Sequence, residues 1–494
     1  MNAIPQDLET QLFIDGDIRK AIGGRTYDLF NPARPDEKVG QAAKATAEDV
    51  DAAVNAAHRA FPAWAALSYE ERAAHLRKVA EVLVADADDV TTRARLFCRE
   101  HGKILRETEL ELSRLGERFL LCAGYADRLA ADERVSGDRF DTIITRQPRG
   151  VAALIVPWNW PLAILGSKLP QALMAGNTVV VKPSNSASLA PSLTLKLIAE
   201  TLPPGVVNVV TGSAGEIGDA LVGHRHVRFV NFTGSVGIGQ HVMRVAAGNT
   251  TPVTLELGGN DAALIMQDAK LDEEAFRRMY LGAFMSSGQV CMALKRMYVH
   301  RSRYDEVVEG FTAECQKQVI GDGLLPETTM GPVNNKKQLK VVTDLIAQSR
   351  EAGFETVECG HVPDQDLYDQ GYFQRPTLVY NPDPHAPIVS EEQFGPVLPI
   401  MPFDDDETAI EMANDSQFGL CSSVWTEDPE RAVALSRRLE AGYTYLNAHG
   451  PMAQDGKGPF GGFKDSGIGR NLGYEGIIQF QGYHAISGPA GWLF

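Results

Sequence analysis

The sequence predicts an α/β protein in which parallel sheets carry helices on both faces, and three observations support that expectation. Between residues 151 and 265, short β-branched or apolar runs (151–156, 178–181, 206–210, 227–232, 253–257, 262–265) alternate with helical segments (162–174, 190–201, 215–221). Such short apolar runs, bounded by Pro, Gly or Lys, are the pattern of strands buried on both faces. The alternation resumes at 297–300, passes through a helix over 304–320 and reaches further strands at 424–426 and 443–447, a second α/β unit. The 494 residues, at about 150 residues per domain, leave room for roughly three domains with sizeable cores.

Taken in order, the chain starts with helix. Val50, Ala53, Val54, Ala57 and Phe61 fall at helical spacing, Pro62 predicts a break, and a second helix runs from Ser68 to about residue 84. Ser68 with Glu71 three residues on is a capping-box pattern, in which hydroxyl and carboxylate each satisfy a backbone donor at the helix start. Residues 132–147, with Val135, Phe140 and Ile143 alternating, read as a hairpin inserted before the first sheet, and 477–486 as a late strand. There is no internal repeat and no low-complexity linker.

Composition excludes several classes. The chain is 44% hydrophobic and 22% charged, close to the folded average, so disorder is not its main state. A net charge of −17 repels phosphate backbones and no local Lys/Arg cluster overrides it, so nucleic acid is not an expected partner. No apolar stretch approaches the roughly 18 residues of a membrane span. Residues 1–9 hold acidic side chains and Pro5 without a basic region leading to an apolar core, so no secretory signal is expected. Cys98, Cys122, Cys291, Cys315, Cys359 and Cys421 show neither CxxC nor CxH spacing, which fits a reducing cytoplasm and speaks against a zinc site.

Three segments place a reactive side chain in an unusual setting. Ser286-Ser287-Gly288-Gln289-Val290-Cys291 is a polar, glycine-containing approach to a cysteine, whose bland alternative is a buried core thiol. Thr254-Leu255-Glu256-Leu257-Gly258-Gly259-Asn260 puts a carboxylate at the end of an apolar strand, where desolvation raises its pKa and makes it a proton acceptor near neutral pH. Pro157-Trp158-Asn159-Trp160-Pro161 fixes a turn after a strand and leaves the Asn159 amide in a rigid loop, able to donate to a developing oxyanion. Two further segments suggest a dinucleotide. Phe232-Thr233-Gly234-Ser235-Val236-Gly237-Ile238-Gly239 follows a strand and opens a helix, with GxxGxG rather than GxGxxG spacing, and Lys182-Pro183-Ser184 ends another strand at the edge where ligands bind in such sheets.

In this order and at these spacings, together with Glu391-Glu392-Gln393-Phe394-Gly395-Pro396 and Pro459-Phe460-Gly461-Gly462-Phe463-Lys464, the chain resembles the aldehyde dehydrogenase superfamily over nearly its full length. The resemblance implies two Rossmann-type α/β domains plus a small β oligomerisation element. Cofactor binding would fall to residues 1–125 and 149–258, catalysis to 259–474, and subunit pairing to 126–148 and 475–494. It implies NAD(P)-dependent, non-acylating oxidation of an aldehyde to the acid. Cys291 would be the nucleophile, Asn159 and the Cys291 backbone N–H would hold the oxyanion, and Glu256 would deprotonate the water that hydrolyses the thioester. Lys168 would stand nearby. Glu392 would bind the nicotinamide ribose, Phe394 would pack beside the nicotinamide, Trp158 and Leu257 would line the cleft, and Lys182 would hold the adenine-side ribose. Ser184, Asn185, Gly234, Ser235, Gly239 and, in a looser match, Gln338 complete the cofactor set.

By the same analogy Trp160, Ile164, Leu165, Val290, Met292 and Phe460 would line a substrate tunnel with the 448–456 loop at its mouth. These side chains are apolar or aromatic and no Arg or Lys is evident among them, so the expected substrate is an aromatic or medium-chain aliphatic aldehyde. The alternatives are a semialdehyde dehydrogenase, a CoA-acylating relative that Glu256 disfavours, a thiol esterase side activity, and a non-catalytic relative of the same fold. A dimer or a dimer of dimers in the cytoplasm is expected, with no metal.

One departure from the family pattern yields a test. Asn185 stands where many NAD-preferring members carry an acidic residue, and a neutral amide does not repel a 2′-phosphate. Initial rates with the two cofactors should show NADP used alongside NAD; complete exclusion of NADP would contradict this reasoning.

Overall fold

The computed structural model describes residues 8–494, so most of the 1–9 segment lies outside the described residues. Three sheets organise the chain. The largest has eight strands in the order Gly467–Ile468, Val253–Glu256, Val227–Thr233, Val151–Ile155, Thr178–Lys182, Val207–Val209, Leu12–Ile14, Asp17–Arg19. Its five central strands run parallel and its edges are antiparallel. Because side chains alternate along a strand, Ala152, Leu154, Val179, Val181, Val207 and Val209 enter one core, while Val151, Ala153, Ile155, Val180 and Val210 enter another. Tyr69–Val84, Leu105–Ala123 and Leu189–Glu200 cover the first face; Ala47–Ala65, Ala214–Val222 and Val236–Ala247 cover the second. Burial on both faces is what made these strands read as unbroken apolar runs.

A seven-stranded sheet repeats the plan in the order Glu355–Glu358, Thr377–Tyr380, Val397–Phe403, Leu294–His300, Asp261–Ile265, Cys421–Trp425, Tyr443–Leu446. Ala262 and Leu264 face the helix Lys336–Glu351, and Ala263 and Ile265 face Glu273–Phe284 and Tyr304–Gln316. The run at 262–265, which spacing alone groups with the first sheet, therefore belongs to the second. The chain crosses from one to the other at Leu257-Gly258-Gly259-Asn260.

Other boundaries differ for local reasons. The first helix runs through Pro62 to Ala65, since a proline in the last turn removes a single intrahelical bond just before the helix ends. The Ser68–Glu71 capping box forms as expected. The 162–174 segment splits into Pro161–Gly166 and Leu169–Met174, because Pro170 cannot donate back to Gly166 and the chain resets at Lys168. Ile477 lies in the helix Gly473–Gln479, buried with Phe480, and the late strand starts at Gln481. Among the described residues no helix is long and apolar enough to cross a membrane.

The third sheet is antiparallel, Gln481–Pro489 beside Phe140–Pro148 beside Glu133–Val135, with Gln481 opposite Pro148 and Pro489 opposite Phe140. Val135, Phe140, Tyr483 and Ile486 are exposed on it. Deleting residues 481–494 strips Phe140–Pro148 of its whole partner and leaves an apolar edge. The truncated chain should elute from size exclusion as heterogeneous aggregate, where the full chain gives one defined species.

Candidate active site

The site forms at the crossing between the two sheets. Glu256 ends the last parallel strand of the first sheet, and after Leu257 two glycines pass close to their neighbours. A Cβ on Gly258 would lie 2.5 Å from the Glu392 carboxylate, and one on Gly259 would lie 2.5 Å from the Cys291 carbonyl oxygen. Glu256 is 5% exposed, and neither of its carboxylate oxygens has a hydrogen-bond partner. Burial pushes its pKa up to about 8, against the pull of Lys168 and Arg470. The desolvation expected from its flanking leucines is present.

Cys291 follows a tightly wound approach. Ser286, Ser287 and Gly288 all have left-handed backbone, with φ of 52°, 56° and 70°. Two consecutive serines there store strain, so the surroundings must impose it. The Glu107 carboxylate accepts from Ser286 N–H at 2.8 Å, Ser287 Oγ donates to the Gly331 carbonyl at 2.8 Å, and Asn334 N–H donates to Gln289 Oε1 at 2.9 Å. A Cβ on Gly288 would meet the Gly395 carbonyl at 2.3 Å, so only glycine fits. Burial pushes the Cys291 thiol up to about 12, with Lys295 pulling it down. Asn159 donates one amide N–H to the Gln289 carbonyl at 2.9 Å, which ties its loop to the cysteine loop and leaves the second N–H free.

Two clefts meet at Cys291. One is a groove of about 860 Å³, open mouth included, lined by Trp158, Asn159, Gly234, Ser235, Leu257, Gly258, Cys291, Gln338, Glu392 and Phe394 among others. The Phe394 and Trp158 rings meet nearly at right angles with their centroids 5.6 Å apart, and Gln338 donates to the Gln393 carbonyl. Ser235 stands at the N-cap position of the helix Val236–Ala247 with no capping bond from its side chain, and a Cβ on Gly239 would meet Leu257 at 2.4 Å, so that glycine allows the helix to close on the groove floor. Lys182, Ser184 and Asn185 lie beyond this lining, at the end of the strand adjoining Val151–Ile155. Lys182 is 3% exposed, donates only to the Pro183 carbonyl at 3.3 Å and is pushed down to about 8 by burial; Asn185 is exposed.

The second cleft is a tunnel of about 760 Å³, mouth included, in which Trp160, Ile164, Val290, Met292, Phe460 and Leu472 form apolar walls. Leu165 does not reach it; it is buried in the first-sheet core, pointing away on the short helix Pro161–Gly166. Lys168 is also outside the lining, fully buried and bonded to Asn231 Oδ1, with burial pushing it down to about 7. Asn231 in turn donates to Asn471 Oδ1 at 2.7 Å, and Asn471 lines the tunnel. The apolar description needs one correction: Arg114 and Arg118, from the helix Leu105–Ala123, line the tunnel too. Sequence spacing gave no warning, because an Arg pair on an amphipathic helix reads as solvated surface. The same helix supplies Glu111, buried beside Lys103, whose carboxylate accepts from Leu162 and Ala163 N–H and so fixes the start of the Asn159 loop's helix.

Comparison with known proteins gives the chain's family and its fold. Residues 19–486 match the profile described as "Aldehyde dehydrogenase family". The chain is 35% identical to aldehyde dehydrogenase 1A1 of Gallus gallus over 491 residues, covering 97% of this chain and 94% of that protein. The betaine aldehyde dehydrogenase of Staphylococcus aureus, solved in complex with NAD+, superposes with a TM-score of 0.91 at 31% identity, covering 98% of this chain and 96% of that one.

The bare Glu256 carboxyl makes a stability prediction. Its folded pKa of about 8 lies above the ordinary 4.5, so its contribution to stability is fully present below 4.5 and is lost as pH rises through 8. Glu256→Gln cannot ionise, so its melting temperature should gain on the parent between pH 5 and pH 9 by a few degrees. A constant gap between the two melting curves across that range would show that Glu256 is not desolvated.

Proposed function

We propose, for a chain that belongs to the aldehyde dehydrogenase family, a division of labour among its residues in the NAD-dependent oxidation of an aldehyde to the carboxylic acid. The observation that carries the reading is the position of Cys291 where the groove and the tunnel meet, reachable by a cofactor from one side and an aldehyde from the other.

The groove residues fit a dinucleotide. Lys182 is a buried cation with no carboxylate within 4.0 Å among the described residues, Glu392 keeps one carboxylate oxygen free of any protein donor, and Ser235 opens a helix whose N–H groups suit a pyrophosphate. Glu392 and Lys182 would hold the two riboses, Trp158, Leu257 and Phe394 would enclose the nicotinamide end, and Gln338 would lie at the groove wall. NAD, when bound, accepts the hydride released from the substrate carbon.

The chain's own groups do the rest. Burial keeps the proton on Cys291, and Glu256, facing the same tunnel, takes it in its ionised form, whose share grows as pH rises through about 8. Sulfur attacks the carbonyl carbon, and the oxygen becomes an oxyanion held by the free Asn159 N–H and the Cys291 backbone N–H. Loss of hydride leaves a thioester on Cys291. Glu256 releases the thiol proton to solvent and, ionised once more, removes a proton from water as it attacks the thioester; the C–S bond breaks, the acid leaves, and the proton Glu256 took from water passes to the Cys291 sulfur. Lys168, tied to Asn231 and Asn471, supplies positive charge beside Glu256 without touching substrate.

A CoA-acylating course is disfavoured because Glu256 is poised to activate water. Betaine aldehyde is a poor fit, since its quaternary ammonium group would approach Arg114 and Arg118. Unpaired cysteines favour a reducing, cytoplasmic setting, and the exposed apolar side chains of the third sheet favour pairing of subunits into a dimer or tetramer.

Stopped-flow absorbance of reduced cofactor tests the assignment. Cys291→Ala should lower turnover by about 10⁴-fold or more. Glu256→Gln, under excess substrate at pH 9, should slow the first release of reduced cofactor, which Glu256 assists by taking the thiol proton, and should hold that release to about one equivalent, with steady turnover down about 10²-fold or more. Full activity of the Cys291→Ala variant would overturn the mechanism.

A further inference from the structure

We infer that the tunnel mouth is an anion-binding subsite built from Arg114, Arg118 and Gln454, which selects aldehydes carrying a carboxylate at the far end of an apolar spacer. The inference rests on the reading that the tunnel admits the aldehyde. Arg114 and Arg118 stand four residues apart on one helix face, so their side chains lie together. Two cations so placed repel each other, and burial and Arg114 both push the Arg118 guanidinium below its ordinary range.

No carboxylate forms an ion pair with either among the described residues, although Glu117 and Asp455 stand near enough to pull Arg118 back up in part. Arg114 donates to the Pro451 carbonyl at 3.0 Å and to Met452 Sδ at 3.6 Å; Arg118 donates to Gln454 Oε1 at 3.5 Å. Among the described residues neither has a carboxylate within 4.0 Å, in a chain with 64 acidic against 47 basic residues. Each guanidinium has five N–H donors, most of them unused here. Gln454 adds a second, independent sign. With Oε1 turned to Arg118, its buried Nε2 has no partner at all. Three neighbouring side chains thus offer donors and no acceptor, the arrangement that a carboxylate completes.

The seat is also shaped. A Cβ on Gly166 would lie 3.1 Å from Arg118 Cγ, and one on Gly456 would lie 1.5 Å from Arg118 Nη1, so two glycines make the slot that holds this side chain. Between the mouth and Cys291 the walls are Trp160, Ile164, Met292, Phe460 and Leu472. A ligand spanning that distance has an aldehyde at one end, hydrocarbon or an aromatic ring in the middle, and an anion at the other.

Matched pairs test this: hexanal against adipate semialdehyde, and benzaldehyde against para-formylbenzoate. At low ionic strength kcat/KM should favour the carboxylate-bearing member by about tenfold or more, chiefly through KM, with the preference shrinking at about 0.5 M salt. In Arg114→Met/Arg118→Met the ratio should fall towards one, whereas a merely damaged fold would lower both members together and leave the ratio intact. A second readout needs no turnover: adipate should raise the melting temperature of Cys291→Ala more than its neutral diamide, adipamide, does, and the double Arg variant in that background should lose the difference. A parent ratio at or below one, or a ratio unchanged by the double substitution, overturns the subsite. Failure to oxidise any aldehyde while adipate still protects through the arginines would sink the oxidation reading and leave the subsite standing.

Discussion

The architecture depends on one crowded crossing. At Gly258-Gly259 the backbone passes between two sheets with the Glu392 carboxylate against one residue and the Cys291 carbonyl against the next, each too close for a Cβ. That closeness brings groups from three distant parts of the chain to one point: Glu256 ends the first sheet, Cys291 precedes a strand of the second, and Glu392 closes the groove between them. A methyl group at Gly258 would displace the Glu392 carboxylate, and one at Gly259 would displace the backbone of Cys291. Because interiors are close-packed, the displacement would have nowhere to dissipate.

Around this point the protein keeps ionisable groups where an unconstrained core would not. Glu256 has no hydrogen-bond partner, and Lys168 and Lys182 are buried with no carboxylate within 4.0 Å among the described residues, although Glu256 is near enough to Lys168 for each to pull on the other. Three buried carboxylates of the N-terminal helices, by contrast, are engaged by backbone donors. Glu100 accepts from Leu189 and Ala190, Glu107 from Ser286, and Glu111 from Leu162 and Ala163, so three acids on the N-terminal helices fix the starts of segments around the site. The satisfied acids give rigidity, and the unsatisfied ones hold free energy in reserve for chemistry.

This contrast explains what was legible in the sequence. Glu256, Cys291 and Asn159 stood out because each breaks a local pattern: a carboxylate on an apolar strand, a cysteine behind a polar turn, an amide between prolines. The parallel strands were legible because burial on both faces removes alternation. Assignment of Asp261–Ile265 to a sheet was not, since hydrophobic runs carry no record of which neighbour they pair with. Glu107, Glu111, Arg114 and Arg118 were invisible for a related reason. Helical spacing shows that they share an amphipathic helix but not that its polar side faces another part of the protein instead of water. Leu165 failed in the opposite sense, because a resemblance in sequence order does not say which way a residue on a one-turn helix points.

The meeting of two clefts at a single sulfur has a kinetic meaning. A dinucleotide and an acyl chain that enter by separate openings do not obstruct each other's departure, so the order in which products leave is governed by their individual off-rates and not by steric precedence. Compounds that plug one opening leave the other accessible. Inhibitors directed at the two sides should therefore bind simultaneously, and together they would enclose the thiol from both directions.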